Sequence, residues 1–500
     1  MLTSGADDAF NPSRARFEQV CSFMGGDEAA NLTHGELETR LTVDVRDLVR
    51  QLYQDHLDLR AGREERLSEV TDAEGTRRGS VEVGHVRPLL TVFGEVAVTR
   101  LAYRRRGGQN LYPTDAALNL PTELHSHGLR QVAAVESARG SFTEATAAIG
   151  RATGVKPGKR QVEQLAARAA VDFEAFYTNP SRPRTAVDDG DVLVLSADGK
   201  GIVMRLEALR PATAKAAGKA TAKLKTRLSK GEKRNRKRMA EVGAVYDATP
   251  VVRAPTDIIG RDDDLEPTPA PKATNKWLTA SVVDDAATVI SQIFDEAHRR
   301  DPRHQRIWIA LVDGANHQIE RINTEATTRG VQVTIIVDFI HVIEYVWSAA
   351  WSFFAQGDPA AETWVANKTL AVLNGQASTV AASIRRKATN LGLDPRTRLN
   401  ADRCADYLLA KRDYLDYPTA LANGWPIATG IIEGACRHLV KDRLDLTGAR
   451  WGLHGAEAIL KLRALRSNGD FDEYWQFHLN REKHRIHETR YANNLIPTAA

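Results

Sequence analysis

The chain has 500 residues and a mass of 55.1 kDa, room for about three domains. At 42% hydrophobic and 26% charged, its composition is that of an ordinary globular protein, which excludes collagen, a coiled-coil rod and wholesale disorder. Formal charge is only 68 − 64 = +4, yet between Lys215 and Arg238 eleven Lys or Arg stand against one acid, Glu232, a concentration suited to a polyanion partner. The same run also reads as a solvated loop.

Three cysteines, Cys21, Cys404 and Cys436, lie far apart with no C-x-x-C pair, against a disulfide framework or a thiolate zinc site and in keeping with a cytoplasmic protein. No apolar run follows Met1, so no secretory signal is predicted. The most apolar stretch, Ile336 to Ala355, carries Asp338, His341 and Glu344, each costing roughly 2.5 kcal/mol or more at mid-bilayer. No membrane span is expected.

In chain order, residues 1–30 show little periodicity and are expected to be disordered. Leu37, Leu41, Val45, Leu48, Leu52 and Leu59 recur at helical spacing. Arg87 to Tyr103 alternates and is β-branched, predicting a hairpin turning at Gly94-Glu95 and followed by Arg104-Arg105-Arg106-Gly107-Gly108. With that helix it forms a region over 31–127. Residues 128–180 read as three helices with breaks near Gly140-Ser141 and Gly154 to Gly158; Ser141 is a plausible N-cap and Gly154 suits a left-handed turn. A helix-turn-helix fits, its second helix presenting Lys159 and Arg160 to DNA, although generic three-helix packing gives the same pattern.

Past a Pro-marked linker the texture changes. Asp191 to Asp198 is a continuously apolar strand, with a second apolar run at Ile202 to Leu206. The basic segment (207–240), a strand at Val242 to Tyr246, a Pro-rich loop near Pro271 and a helix from Asp285 to Arg300 follow. Arg306 to Asp313 and Val331 to Val337 are further buried-type strands separated by a helix, so an α/β sheet is predicted over 188–343. Residues 344–424 are helical in pattern and read as an insertion. A helix from Ile431 to Leu444 then opens the segment 425–468, and 469–500 is expected to be a tail. His484 and His487 lack neighbouring ligands and read as surface histidines.

Asp198 and Asp313 each close an apolar strand just before glycine, and at that edge of an open α/β sheet ligands bind. Neighbouring carboxylates repel unless a cation lies between them, so two aspartates and a third acid suit Mg²⁺ or Mn²⁺. Two such ions about 4 Å apart would serve an in-line phosphoryl displacement. Glu433 is the candidate third ligand, with Arg437 and Lys441 placed to hold phosphates beside it. Each signal has a plainer reading: a hairpin at Asp198-Gly199, an N-cap at Asp313, an intrahelical ion pair at Glu433.

Several motifs taken together narrow the choice. Leu195-Ser-Ala-Asp-Gly-Lys-Gly201, Gly231-Glu-Lys-Arg-Asn-Arg-Lys-Arg-Met239 with Val242-Gly-Ala-Val-Tyr246, Val312-Asp-Gly314, Asp338-Phe-Ile-His341, Ile432-Glu-Gly-Ala-Cys436 and Gly448-Ala-Arg-Trp451 occur in order. The series resembles the transposases of the ISKra insertion-sequence family, which belong with the Mutator-like group of DDE enzymes, over about Ser80 to Arg466.

The resemblance implies an RNase H-like catalytic domain interrupted by an all-helical insertion, preceded by a helix-turn-helix-like α+β region. It implies Asp198, Asp313 and Glu433 as the triad, and Asp338 and His341 as a C/D-x-x-H signature near the site; an N-cap aspartate with a packed histidine is the plainer alternative. Relatives carry a paired-cysteine knuckle after the hairpin where this chain has Arg104 to Gly108, which disfavours zinc there. The expected function is transposition: binding of double-stranded DNA at terminal inverted repeats, hydrolysis, then attack of the freed 3′-OH on target DNA. A homo-oligomer on DNA, associated with the nucleoid, follows from acting on two element ends. An RNase H-like nuclease without strand transfer and a transposase-derived DNA-binding regulator are the alternatives. Arg234, Arg236, Lys237 and Arg238 are expected on phosphates, and Arg450 with Trp451 as a clamp, the indole stacking on an unpaired base unless it is core packing.

Overall fold

The computed structural model describes residues 8–182, 190–219, 230–259, 268–446 and 448–498. The chain divides into two compact units, Met1–Pro180 with Gly469–Ala500, and Ser181–Asn468. The centre of the basic segment, with Lys223, Lys225 and Arg227, lies outside the described residues.

In the first unit the expectation of disorder over residues 1–30 falls in part on residues 1–7, outside the described residues, and from residue 8 on it is not met. Asn11–Met24 forms helix α1, and Ser13 donates to the buried carboxylate of Asp55 on helix α2 (His34–Gly62), which ties the two together. Strands β1 (Ser80–Thr91) and β2 (Gly94–Arg104) pair antiparallel. Their turn is made by Val92 and Phe93, not Gly94-Glu95, because Thr91 pairs directly with Gly94. Helices α3 (His127–Arg139), α4 (Phe142–Thr153) and α5 (Lys159–Ala169) follow.

Local chemistry sets these helix bounds. Ser141 caps α4 by accepting from the Glu144 amide, and Gly154 ends it in a left-handed turn at φ 74°. The three helices close on Leu129, Ile149, Val162 and Leu165, each at most 2% exposed. Each such side chain is worth roughly 1.5–3 kcal/mol on burial.

Residues 469–500 are not a tail. Phe471–Ile486 is a helix whose His478 is fully buried, and His487, rather than lying on the surface, is 7% exposed with Nε2 on the carbonyl of Leu120.

The second unit is built on a five-stranded mixed sheet in the order β5-β4-β3-β6-β7. Strand β3 (Val192–Val203) pairs antiparallel with β4 (Lys237–Ala248), which pairs antiparallel with β5 (Ala273–Ser281). On its other side β3 runs parallel to β6 (Trp308–Val312), and β6 parallel to β7 (Val333–Val337). The sequence predicts no strand at β5, whose first half is polar. Nor does β3 stop at Asp198: it pairs continuously from Val192↔Ala248 to Val203↔Lys237, so there is no hairpin at Asp198-Gly199.

Helix α6 (Ala286–Arg300), capped by Asp285, packs against β3 and β4. Helix α7 (Asn316–Arg329) joins β6 to β7. Helix α8 (Phe339–Ala350) begins directly after β7, and α9 (Pro359–Leu373), α10 (Ala377–Asn390) and α11 (Leu399–Ala410) follow. The chain returns through α12 (Gly430–Ala435), a π-helical turn at Cys436–Lys441, and α13 (Leu453–Asn468). Among the described residues, no helix is long and apolar enough to cross a membrane.

Candidate active site

Strand register decides which acids meet. Between β3 and β6 the offset is 115 residues (Leu193 beside Trp308), which carries Asp198 to Asp313. Between β6 and β7 it is 25 residues (Val312 beside Val337), which carries Asp313 to Asp338. The paired register stops at Ser196 beside Leu311 and at Val312 beside Val337, so the three aspartates lie just past the last parallel-paired residues of three neighbouring strands, at one edge of the sheet.

Each is held differently. Asp198 is half-buried; Gly199 N–H donates to Oδ1 (2.6 Å) and the Cys436 thiol to Oδ2 (3.3 Å). Asp313, also half-buried, accepts from Ala315 N–H through Oδ1 (2.8 Å), and its carbonyl accepts from the Tyr407 hydroxyl (3.0 Å). Between Asp313 and α7, Gly314 turns at φ 91°, where a Cβ would stand 2.8 Å from that hydroxyl. Lys411, 6% exposed, donates to Asn316 near enough for the Asp313 charge to act on it.

Asp338 is 1% exposed and fully used: Oδ1 caps α8 by accepting from Ile340 N–H (2.9 Å), and Oδ2 accepts from the Thr429 hydroxyl. That geometry is the N-cap of the plainer reading. His341 lies in the next turn, half-exposed, 3.6 Å from Glu344.

Glu433 comes from α12, whose start Thr429 fixes by bonding Asp338. Its side chain is exposed. Partial burial raises its pKa, and the negative charges of Asp338, Glu344 and Asp198 add to the rise, with the His341 imidazole working against them. The Glu433 helix is not α throughout: its π turn puts Cys436 against Asp198, and Arg463 of α13 donates to the carbonyls of His438 and Leu439 that the wide turn frees (2.9 Å to Leu439). Arg437 faces Asp442 at 3.9 Å, and among the described residues no ion pair joins it to Glu433, as the plainer alternative would have had it.

The donor set consists of carboxylate oxygens, which fits Mg²⁺ or Mn²⁺ rather than a soft ion. Asp198 and Asp313 both supply such oxygens. Among the described residues, no three His, Cys, Asp or Glu side chains stand together as a ligand set, so Glu433 does not complete one as placed.

Of the basic candidates, Lys159 and Arg160 are exposed on the first turn of α5, and Arg234, Lys237, Arg437, Lys441 and Arg450 are exposed in the second unit. Two expectations fail. The Arg238 guanidinium donates to the carbonyls of Val282 (2.6 Å), Ala208 (3.2 Å) and Val283 (3.4 Å), so it pins strands together. Trp451 is 6% exposed, its indole N–H donates to the Leu444 carbonyl (2.9 Å) and Arg443 covers its ring, so it packs inside rather than stacking on a base.

Sequence reasoning missed Cys436, Tyr407, Lys411 and Thr429 as neighbours of the acid row. Only Thr429 left a signal, as the residue before a new helix.

The Thr429–Asp338 bond yields a test. Thr429→Val keeps the shape but removes the hydroxyl, leaving a buried carboxylate oxygen without its donor at a cost of about 1–3 kcal/mol. The expected outcome is a lower melting temperature for Thr429→Val, restored by Thr429→Ser; thermal unfolding of the three proteins checks it.

No protein family model matches the chain, and no curated protein matches it. Among solved structures, a Drosophila P element transposase strand transfer complex is similar over 70% of this chain and 79% of that one, at 12% identity and a TM-score of 0.24, a likeness too loose to define a shared fold.

Proposed function

We propose that the chain is a DDE-type DNA transposase with an RNase H-like core, Asp198, Asp313 and Glu433 being its acids. The observation that supports this reading is the parallel β3–β6 register, which runs up to Ser196 beside Leu311, two residues short of Asp198 and Asp313. A mixed sheet in the order β5-β4-β3-β6-β7, with the helix bearing Glu433 packed on β3 and β4, supports it.

In this reading Asp198 and Asp313 would hold one or two Mg²⁺ or Mn²⁺ ions, with Glu433, which does not complete the set as placed, as the third acid. When bound, the cation supplies Lewis-acid stabilisation of the phosphodiester and a lowered pKa for the attacking hydroxyl. The protein's own part is placement: Gly199 N–H and the Cys436 thiol fix the Asp198 carboxylate, while Arg437 and Lys441 offer cations to phosphates beside Glu433. Lys159 and Arg160 contact terminal-repeat DNA. No covalent protein intermediate is needed, because water and then a 3′-OH act as nucleophiles. A homo-oligomer working on two DNA ends in the nucleoid completes the proposal.

The test supplies the full chain with duplexes bearing pre-cleaved 3′-OH ends and Mg²⁺ or Mn²⁺. Joining of those ends to a second duplex is the expected result. Cleavage without joining identifies a nuclease, and DNA binding with neither identifies a regulator.

A further inference from the structure

Beyond Asp198 the sheet narrows to a two-stranded arm. Strand β3 runs on to Val203 with β4 beside it, whereas its register with β6 ends at Ser196. At the far end of the arm three backbone hydrogen bonds gather three segments: Met204 N–H to the Arg236 carbonyl (3.0 Å), Arg205 N–H to the Trp451 carbonyl (2.8 Å), and Trp451 N–H to the Val203 carbonyl (3.2 Å). Trp451, buried and hydrogen-bonded through its indole, anchors the third segment, so Arg450 projects from a fixed base.

A concavity of about 500 Å³ lies there, lined by Arg205, Leu206, Glu207, Arg236, Gly448 and Arg450. Three guanidinium groups reach it from three separate segments, against one acid. Among the described residues none of the three is in an ion pair, although arginines elsewhere in the same unit, Arg299, Arg300, Arg306 and Arg329, are all paired. Like charges brought together on a fixed frame with a single counter-charge, Glu207, repel, and an anion relieves that repulsion. The planar fork of arginine, with its weak hydration, suits the oxygens of a phosphate better than it suits water.

We propose that Arg205, Arg236 and Arg450 form a phosphate clamp that takes one backbone phosphodiester of duplex DNA; the choice of DNA over a free phosphate rests on the transposase reading. Arg205 follows Asp198 by seven residues along an extended strand, a reach of ~23 Å at ~3.3 Å per residue. At ~3.4 Å per nucleotide that is about seven nucleotides, so the clamp sets the register of the duplex relative to the acids. Glu207 on the same lining opposes the clamp's positive charge.

Binding of the full chain to duplex DNA is measured as a function of salt for the wild type, Arg205→Gln/Arg450→Gln and Glu207→Gln, with circular dichroism as a control for folding. Loss of one neutralised phosphate is expected to reduce the slope of log affinity against log salt by about 0.9 in the double variant. Glu207→Gln is expected to bind DNA more tightly, a gain that misfolding cannot imitate. Phosphate-ethylation interference should show one contact, about seven nucleotides from the cut, that disappears in the double variant. An unchanged slope and footprint in the double variant overturn the clamp while leaving the transposase reading intact. Arginine-dependent phosphate contact in a protein that neither cuts nor joins DNA upholds the clamp and overturns that reading. If the wild type binds inorganic tripolyphosphate through these arginines but no DNA, the assignment to a nucleic-acid phosphate is wrong.

Discussion

In the transposase proposed above, Asp198→Asn is expected to abolish strand cleavage while leaving DNA binding intact. The amide keeps an acceptor oxygen for the Gly199 N–H, so strand β3 and its pairing survive, but the negative charge is gone and the Cys436 thiol loses one of its options. Removing a single group that stabilises transition-state charge costs about 10²–10³-fold in turnover, and loss of an anionic ligand at a hard-cation site is at least as severe. Binding rests on cations at other positions and is therefore unaffected. The measurement is a paired one: gel-shift affinity, and the single-turnover cleavage rate over a range of Mn²⁺. Cleavage at the wild-type rate would remove Asp198 from the mechanism.

The second large effect concerns stability, in the first unit. Arg130, 1% exposed, donates to Glu123 (2.9 Å) and Glu482 (2.6 Å). Next to it His478 bonds Asp172 (2.8 Å), which also receives Arg481 and Arg485. Burial alone would raise the Asp172 pKa, but hydrogen bonds from His478, Arg485 and Arg481 outweigh it and hold the carboxyl far below the ordinary range. Glu482 is lowered in the same way, mainly by Arg130 against burial.

Arg130→Ala leaves two carboxylates short of their partner and is expected to cost about 3–5 kcal/mol. A unit of this size then melts roughly 6–20 °C lower by calorimetry. The sign with pH follows from the depressed values. Stabilisation by Asp172 and Glu482 is fully present above their unfolded pKa, about 4, and is lost as pH falls below it through their folded values. Arg130→Ala should therefore show a shallower acid dependence than the wild type; equal slopes would mean that Glu482 owes nothing to Arg130.

Much of the acid row was legible in the chain. Apolar runs ending in Asp198 and Asp313 are local signals, because a buried strand needs only its own residues to look apolar. Pairing is not local, and this is where the reading stopped short. β5 begins Ala273, Thr274, Asn275, Lys276, and earns its place only by lying against β4. Asp198-Gly199 looked like a turn, yet β4 pairs straight past it. The bond of Asp338 to Thr429 was not legible because its two partners lie 91 residues apart. Trp451 and Arg238 carried basic and aromatic signals for DNA, and neither sequence position shows that an indole is buried or a guanidinium spent on carbonyls. The helices at both ends of the chain were missed for a similar reason: α1 has its anchor in Asp55 and the C-terminal helix in Asp172 and Arg130, all distant in sequence.

The meeting of Asp338 with Thr429 has a topological result as well as a local one. Phe339 N–H also donates to the Ile427 carbonyl (2.9 Å), so the chain departs from the sheet and comes back at a single knot. Everything between is a detour whose two ends are already tied. Closing a longer detour costs only about 0.6 kcal/mol per doubling of its length. Evolution can therefore lengthen, trim or exchange those helices, and with them whatever they touch, while Glu433 keeps its address.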